Sequence, residues 1–197
     1  MGNVNQGYDN GSNEYLGLIP STNIEIWIEI LWRPVDGKIF TEEQEPKGEE
    51  LIKNSNAVPN KHCLKLNPED NLLQVCLHTS KHTYCRAPGF RLHFDVYRIT
   101  SEESIDWERF LRQVICSGVK THVFFSLYFA VKYLGANVPV YVMNKLKPGY
   151  LKFNILLKTF SDNVIFNPKE KKFSAFSYLI VNAMLHDSLW NIIKLIK

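Results

Sequence analysis

The sequence has few features of a secreted, membrane-spanning or strongly charged protein. Only four of its 197 residues are cysteine, at irregular spacings, and we expect free thiols in a reducing compartment. The most apolar runs, 122–131 and 178–185, are shorter than the about 20 residues that span a bilayer. The polar, Asn/Gly-rich first residues carry no visible secretory or transit signal. These absences predict a soluble, cytoplasmic protein without a membrane partner.

A strong charge of either sign is also missing. The formal net charge is +3, and no basic stripe of the kind that nucleic-acid-binding proteins carry is present. This balance makes nucleic acid an unexpected partner but permits a phosphate-bearing ligand. Hydrophobic residues make up 45% of the chain and aromatic residues 13%, which predicts a folded core built on large rings.

One long strand is predicted near the N-terminus. Residues 22–33 alternate so that isoleucines fall on one face and glutamates largely on the other, whereas residues 1–21 read as a loop or ordered arm. A lone strand leaves its backbone groups unpaired. Either a second strand lies within the arm, or the neighbouring strands are missing or belong to another molecule.

From about residue 67 the apolar period becomes helical. Asn67 is predicted to cap a helix that begins at Pro68, and a shorter helix covers 91–99. Ser104 is predicted to cap a third helix with the inner face Trp107, Phe110, Leu111, Val114 and Ile115. A fourth helix, between Gly118 and Gly135, should turn Phe124, Leu127, Tyr128, Val131 and Leu134 inward. One helix is expected around 149–160 and one or two over 173–196.

Three segments resemble, in order and spacing, an uncharacterised nucleotidyltransferase family of the polymerase-β-like superfamily. The residues that carry the likeness are Ile28-Glu29-Ile30-Leu31-Trp32-Arg33; Pro68-Glu69-Asp70-Asn71-Leu72-Leu73 with His78 and Lys81-His82; and Gly89-Phe90-Arg91 with Asp95 and Ile105-Asp106-Trp107. Leu134-Gly135-Ala136-Asn137-Val138-Pro139 fits as well. The likeness covers about residues 22–140.

The resemblance implies transfer of a nucleoside monophosphate from a nucleoside triphosphate (NTP) to an acceptor, assisted by Mg²⁺. Glu29 stands where the family has its third metal-binding carboxylate, which makes it the candidate catalytic and metal-binding residue. We find no upstream Gly-Ser with Asp-x-Asp, and Leu31 replaces the family's histidine. A substitute reading, Gly11-Ser12 followed by Glu25, places Trp27 where a magnesium ligand is needed. We therefore expect the chain alone to be inactive.

Four further residues are candidates for contact with the nucleotide. His78 and His82 lie at i and i+4 of one predicted helix, and Arg91 and Asp95 follow at the same spacing. They could line a cleft facing the catalytic strand, where Arg91 or a protonated histidine would contact a phosphate. The structural alternative is a local Arg91–Asp95 ion pair. A zinc site formed by the two histidines with Cys76, Cys85, His62 or Cys63 is a further alternative.

The sequence thus predicts an α+β, predominantly α-helical fold with two parts. Residues 1–45 form an N-terminal arm and the strand-containing remnant of a nucleotidyltransferase-like lobe, and residues 46–197 form a helical domain. The favoured function is a nucleotidyltransferase-like protein, incomplete or degenerate in its catalytic motif. The alternative is a non-catalytic helical binding module. The orphan strand suggests a protein partner or a homo-oligomer.

Overall fold

A computed structural model of the chain describes residues 4–5, 12–18, 22, 24–31, 39–83, 89–167 and 173–196. Five strands lie in this part: β1 Val4–Asn5, β2 Ser12–Leu18, β3 Glu25–Leu31, β4 Asn56–Ala57 and β5 Leu64–Lys65. The helices are α1 Gly48–Lys53, α2 Pro68–Thr83, α3 Leu92–Glu102, α4 Trp107–Cys116, α5 Lys120–Leu134, α6 Val140–Leu146, α7 Tyr150–Thr159, α8 Asp162–Ile165, α9 Ala175–Leu185 and α10 Leu189–Ile196, with a 3₁₀ turn at Gly89–Arg91. The predicted α+β, mainly helical fold is confirmed.

The N-terminal sheet is antiparallel, with the order β1-β2-β3. β3 forms within the predicted strand, and β2 pairs with it along its whole length, from Ser12 opposite Leu31 to Leu18 opposite Glu25. The expectation of a loop or arm over residues 1–21 was therefore wrong for β2, because the backbone groups of β3 require hydrogen-bonding partners. The interpretation that a second strand lies in this arm is confirmed. Trp32 and Arg33, the end of the family-like strand segment, lie outside the described residues.

α2 begins where the sequence predicts. Asn67 Oδ1 accepts the backbone N–H of Asp70 at 2.8 Å, which is the expected N-cap bond, and Pro68 takes the first helical position. Leu72, Leu73 and Leu77 are buried and bring α2 against α3 and α5. The family-like segment 68–82 is thus a core helix.

α5 lies at the centre of the helical core. All of 121–127 is buried, as are Phe129 and Ala130, since the helix carries apolar side chains on every face. The predicted single inner face was wrong in part, because Phe125 and Phe129 are buried whereas Val131 is 36% exposed.

The ends of α4 and α5 show one correction and two confirmations. Asp106, not Ser104, caps α4 by accepting the Arg109 N–H at 3.0 Å. The helix begins there because the backbone N–H of Asp106 itself is bound by a carboxylate of α2 at 2.7 Å. Gly118 and Gly135 end their helices at φ 63° and 70°, left-handed values that favour glycine.

Other predicted faces and boundaries differ in detail. On α4, Phe110, Leu111 and Val114 are buried as predicted, but Ile115 is 50% exposed. Ile39 and Phe40 belong to the hydrophobic core of the helical part. The proposed domain boundary after residue 45 stays a prediction.

The C-terminal third is entirely helical in its described residues. The helix predicted over 149–160 is confirmed as α7, and the closing segment forms two helices, α9 and α10. α6 and α8 were not predicted; α6 starts directly after Pro139, which occupies its N-cap position. The lysine-containing stretch 167–172, whose sequence favours a solvated loop, lies, except for Asn167, outside the described residues. No helix in the described part is both long and apolar enough to cross a membrane.

Candidate functional site

The two histidines of the family-like helix lie side by side. Their i, i+4 spacing on α2 places the ring centroids of His78 and His82 4.5 Å apart. His78 is exposed and His82 is half-buried. The helix therefore presents this pair partly to solvent, as the spacing predicts.

A zinc site around these histidines finds no support in the described residues. Within the described ranges no three His, Cys, Asp or Glu side chains come together as a metal ion would require. Cys76 is fully buried, and burial raises the pKa of its thiol strongly. A buried thiol with a raised pKa is a poor thiolate ligand. Cys85 lies outside the described residues.

Arg91 and Asp95 do not form the local ion pair that their spacing allows. Both residues are exposed, and the i, i+4 ion pair of α3 joins Arg98 to Glu102 at 3.3 Å instead. Asp95 lines an open cavity of about 430 Å³. Lys65 of β5 and residues of α2 and α3 line it as well. A common cleft shared by Arg91, Asp95 and the histidines stays a prediction.

Glu29 lies in β3 and faces another acidic residue in the strand register. The antiparallel pairing sets Glu14 of β2 directly opposite Glu29. Residues in this relation are the closest cross-strand neighbours of an antiparallel pair. The sequence reading did not single out Glu14, because β2 itself was not predicted. The metal-binding role of Glu29 stays a prediction.

Two buried acids at the start of α2 hold α2 and α4 together. Glu69 Oε1 accepts the Asp106 N–H at 2.7 Å, and Asp70 Oδ1 accepts from the Gln113 side-chain amide at 2.5 Å. Arg109 lies 3.8 Å from both carboxylates. Glu69 and Asp70 are 5% and 4% exposed, and their buried carboxylates are satisfied by these hydrogen bonds and by the nearby Arg109 guanidinium. We call these five residues the acidic clamp.

The acidic clamp explains two family-like positions without chemistry at a substrate. Sequence reasoning took Glu69 and Asp70 only as acids of a first helical turn, which favour the helix dipole. Asn67 is the residue in the sequence that could have indicated this burial. It caps the same turn through Asp70 and donates to the Asp70 carboxylate at 2.7 Å. In this fold the Glu69 and Asp70 carboxylates have structural partners within the protein.

A cavity of about 250 Å³ opens beside the acidic clamp. Its wall includes Asp70 and three glutamates, Glu43, Glu45 and Glu50, with Lys47 as the one basic residue on it among the described residues. Carboxylate-lined walls accept hydrogen bonds and favour cationic or hydroxyl-bearing ligands. The cavity can therefore receive a donor group such as an amine or hydroxyl.

A second buried polar group, the junction cluster, joins the start of α5 to the α9–α10 linker. It consists of Phe40, Gln44, Ser80, His122 and His186. Ser80 Oγ lies 2.7 Å from His122 Nδ1, and Gln44 Nε2 lies 3.5 Å from His186 Nδ1. The His122 ring is 4.7 Å from the Phe40 ring and 5.1 Å from the His186 ring. In the described structure the Nε2 atoms of both histidines are buried without a hydrogen-bond partner.

The electrostatics of the junction cluster keep both rings neutral. Burial lowers the pKa of His122 well below its usual value, and His186 and Lys152 lower it further. Burial also lowers the pKa of His186, against the opposing effect of Asp187. Neutral, enclosed imidazoles cannot attract a phosphate, so the junction cluster belongs to the fold rather than to a nucleotide site.

The cluster continues into a cap on α5. Val119, at the N-cap position, makes no side-chain cap bond. The Asp187 carboxylate instead accepts the Thr121 N–H at 3.2 and 3.3 Å and the Thr121 hydroxyl. Lys152 lies 3.7 Å from this carboxylate and donates to the His186 carbonyl at 2.7 Å. The α9–α10 linker therefore caps a helix that lies far from it in sequence.

Comparison with known proteins gives one match. A family model described as uncharacterised nucleotidyltransferase matches residues 5–135, more than half of the chain. No curated protein and no solved structure matches the chain. The matched range includes β2 and β3, which carry Glu14 and Glu29, and α2 to α5, which carry the acidic clamp and the histidine pair. The chain therefore belongs to the uncharacterised nucleotidyltransferase family.

Proposed function

We propose that this chain is a nucleotidyltransferase-like protein that would transfer a nucleoside monophosphate from an NTP once its set of catalytic carboxylates is complete. The observation that carries the proposal is the family match across the sheet and the central helices. In such a transfer the α-phosphorus forms a bond to an acceptor oxygen and loses its bond to pyrophosphate. The acceptor hydroxyl gives up its proton.

Glu29 is the proposed magnesium ligand. Carboxylate oxygens are preferred protein ligands of Mg²⁺, and the ion would supply positive charge to stabilise the phosphates. The register that sets Glu14 opposite Glu29 supports this role, because it offers a second acidic residue at the same level of the sheet. Membership of the polymerase-β-like superfamily is part of the same proposal.

The helical part would supply the remaining contacts with the nucleotide and the acceptor. His78, His82, Arg91 and Asp95 are the proposed nucleotide contacts, and the exposure of His78 and Arg91 leaves them accessible to a phosphate. The acidic cavity beside α2 is the proposed acceptor site, because its carboxylates can accept hydrogen bonds from an acceptor's hydroxyl or amine groups.

We expect this chain alone to be inactive. The missing carboxylates would come from another polypeptide that pairs with the N-terminal strand, in a cytoplasmic setting. Self-association through the same strand is a second possibility. Both possibilities need an open strand edge, and within the described part of the chain β3 pairs on one side only, with β2.

The alternative is a non-catalytic binding module. One observation favours it: apolar residues of the sheet are open to solvent, with Leu18 66%, Leu16 50% and Ile26 40% exposed. A sheet with exposed aliphatic side chains and an open edge invites pairing with another chain. This function needs no magnesium and no nucleotide.

Calorimetry with ATP, GTP, CTP and UTP, each with and without Mg²⁺, tests the proposal. The variants are Glu29→Ala and, as a matched control in the same strand, Glu25→Ala. We expect magnesium-dependent binding by the wild type and by the Glu25 variant, and its loss in the Glu29 variant. Absence of binding by all four triphosphates would reject a nucleotide site in this chain and favour the binding module.

A further inference from the structure

The C-terminal third of the chain differs in charge from the rest. Residues 136–197 contain nine lysines, no arginine and three acidic residues, a formal charge of +6. The whole chain carries only +3, so the first 135 residues carry −3. The basic excess therefore lies in the segment beyond the family match.

The same segment exposes large apolar side chains at helical spacing. On α9, Phe176, Leu179 and Ile180 are 73%, 64% and 46% exposed and lie at i, i+3 and i+4, which is one face of the helix. Val181 and Leu185 of α9 are buried and turn the other side toward the core. α9 is therefore apolar on its outer face as well as on the side that packs against the core.

The neighbouring helices repeat this pattern. α7 packs against α9 and exposes Tyr150 at 84% and Leu151 at 72%. α10 exposes Trp190 at 62% and Ile193 at 49%, again three residues apart. Large apolar side chains exposed in this number mark an interaction site.

Lysines accompany these apolar faces. Lys145, Lys147 and Lys158 are exposed on or beside α6 and α7. Lysine can place its aliphatic stem on apolar material while its ammonium group stays in water. Exposed lysines on α6 and α7 together with exposed Trp, Phe and Leu on α9 and α10 are the residue types of a surface that lies in the interface of a membrane.

We propose that α7, α9 and α10 form a surface that binds the headgroup region of an anionic lipid bilayer without crossing it. The occupant follows from charge and residue type. Protein–protein interfaces are enriched in arginine and depleted in lysine, the reverse of this segment. Single-stranded nucleic acid is bound by aromatic stacking. Tyr150, Phe176 and Trp190 supply rings for it, but the equally exposed Leu151, Leu179 and Ile180 do not. The proposal does not depend on the proposed nucleotidyl transfer.

Vesicle co-sedimentation of the full chain tests the proposal. The probes are vesicles of phosphatidylcholine alone and of equal parts phosphatidylcholine and phosphatidylserine. With three lysines near the surface, we expect a preference for the anionic vesicles on the order of a hundredfold. Added salt should weaken this preference, because exposed charges are screened.

Paired variants separate the apolar from the charged contribution. Phe176→Ser with Leu179→Ser should lower binding to the anionic vesicles on the order of a hundredfold. Its control, Ile52→Ser with Phe94→Ser, changes side chains that are 65% and 51% exposed in the acidic part of the chain, and should bind as the wild type does. Because all four side chains are exposed, both variants should fold, which circular dichroism checks.

The lysines are tested in the same way. Changing Lys145, Lys147 and Lys158 to glutamine should abolish the preference for anionic vesicles, whereas the same change at Lys47, Lys53 and Lys61 should not. Equal binding to both vesicle types, or no binding, would overturn the proposal. So would tighter binding to a labelled single-stranded RNA, or a dimer in size-exclusion chromatography that the serine pair on α9 disrupts.

Discussion

Asp187 should contribute more to stability than its place in a surface linker indicates. Its side chain is 23% exposed and binds the first turn of α5 through the Thr121 N–H and hydroxyl. α5 has no side-chain cap of its own at Val119. Asp187→Ala therefore removes an acceptor from one end of the central helix, where backbone N–H groups have no partner within the helix.

The size of the effect follows from two contributions. Loss of a capping side chain costs about 1 kcal/mol. Loss of a negative charge at a helix N-terminus costs about 1 kcal/mol in a half-buried setting. The sum, about 2 kcal/mol, corresponds to a fall in Tm of about 4–8 °C for a chain of this size.

Thermal unfolding followed by circular dichroism measures this fall. The matched control is Asp162→Ala, which removes an aspartate whose side chain is 65% exposed and which pairs with Lys132 at 3.2 Å. A solvent-exposed ion pair contributes little to stability, so the control should shift Tm much less than Asp187→Ala does. If the two variants lose the same stability, Asp187 is an ordinary surface acid and the capping argument is refuted.

Three more predictions follow from the fold. The two neutral histidines of the junction cluster bind a proton more readily once unfolding exposes them, so the free energy of unfolding should fall as pH drops below about 6.5. Denaturant titrations at pH values on either side of about 6.5 check this. Greater stability at the lower pH would contradict it. Gly135→Ala forces a left-handed φ of 70° on alanine and should cost about 1 kcal/mol, whereas Gly17→Ala, equally free of nearby atoms, should cost nothing measurable by chemical denaturation. Phe110→Ala should lower the free energy of unfolding by about 3–5 kcal/mol, because it leaves a cavity in the core. Ile115→Ala, on the exposed side of the same helix, should lower it by less than about 1 kcal/mol. Similar losses for the two variants in urea melts would show that the two positions are equally buried.

Local signals in the sequence predicted the helix starts and stops well. α2 begins at Pro68 because Asn67 and Pro68 act within one turn, and α5 ends at Gly135 because glycine adopts the left-handed conformation at low cost. β3 was visible from its alternating residues. Each of these features depends only on neighbours a few residues away.

Features that depend on distant partners were missed. β2 has weak strand character of its own and forms by pairing with β3. Ser104 was predicted as the cap of α4 in place of Asp106. The carboxylate that binds the Asp106 N–H belongs to Glu69, 37 residues earlier, so no local signal marks Asp106 as the start of the helix. The buried faces of α5 were misassigned since a helix that is apolar all round gives no periodic signal.

The candidate site was predictable only as residue types. His78 and His82 were identified through their spacing on one helix, and the structure places their rings in contact. The acidic cavity escaped prediction, because Glu45, Asp70 and Gln113 come from three separate segments. Sequence periodicity carries no information on how such segments converge.

The cap that Asp187 places on α5 has a consequence for how this chain can be divided. The family match ends at residue 135, but the first turn of α5 inside it is completed by residue 187 outside it. The end of sequence similarity is therefore not a boundary of an autonomous folding unit. A fragment cut at 135 would leave the N-terminus of its central helix uncapped and the Phe40–His122 contact open to water where His186 now covers it. Expression of the matched region alone should give a loosened core, and any functional assay needs the C-terminal helices for the integrity of the family-like part itself.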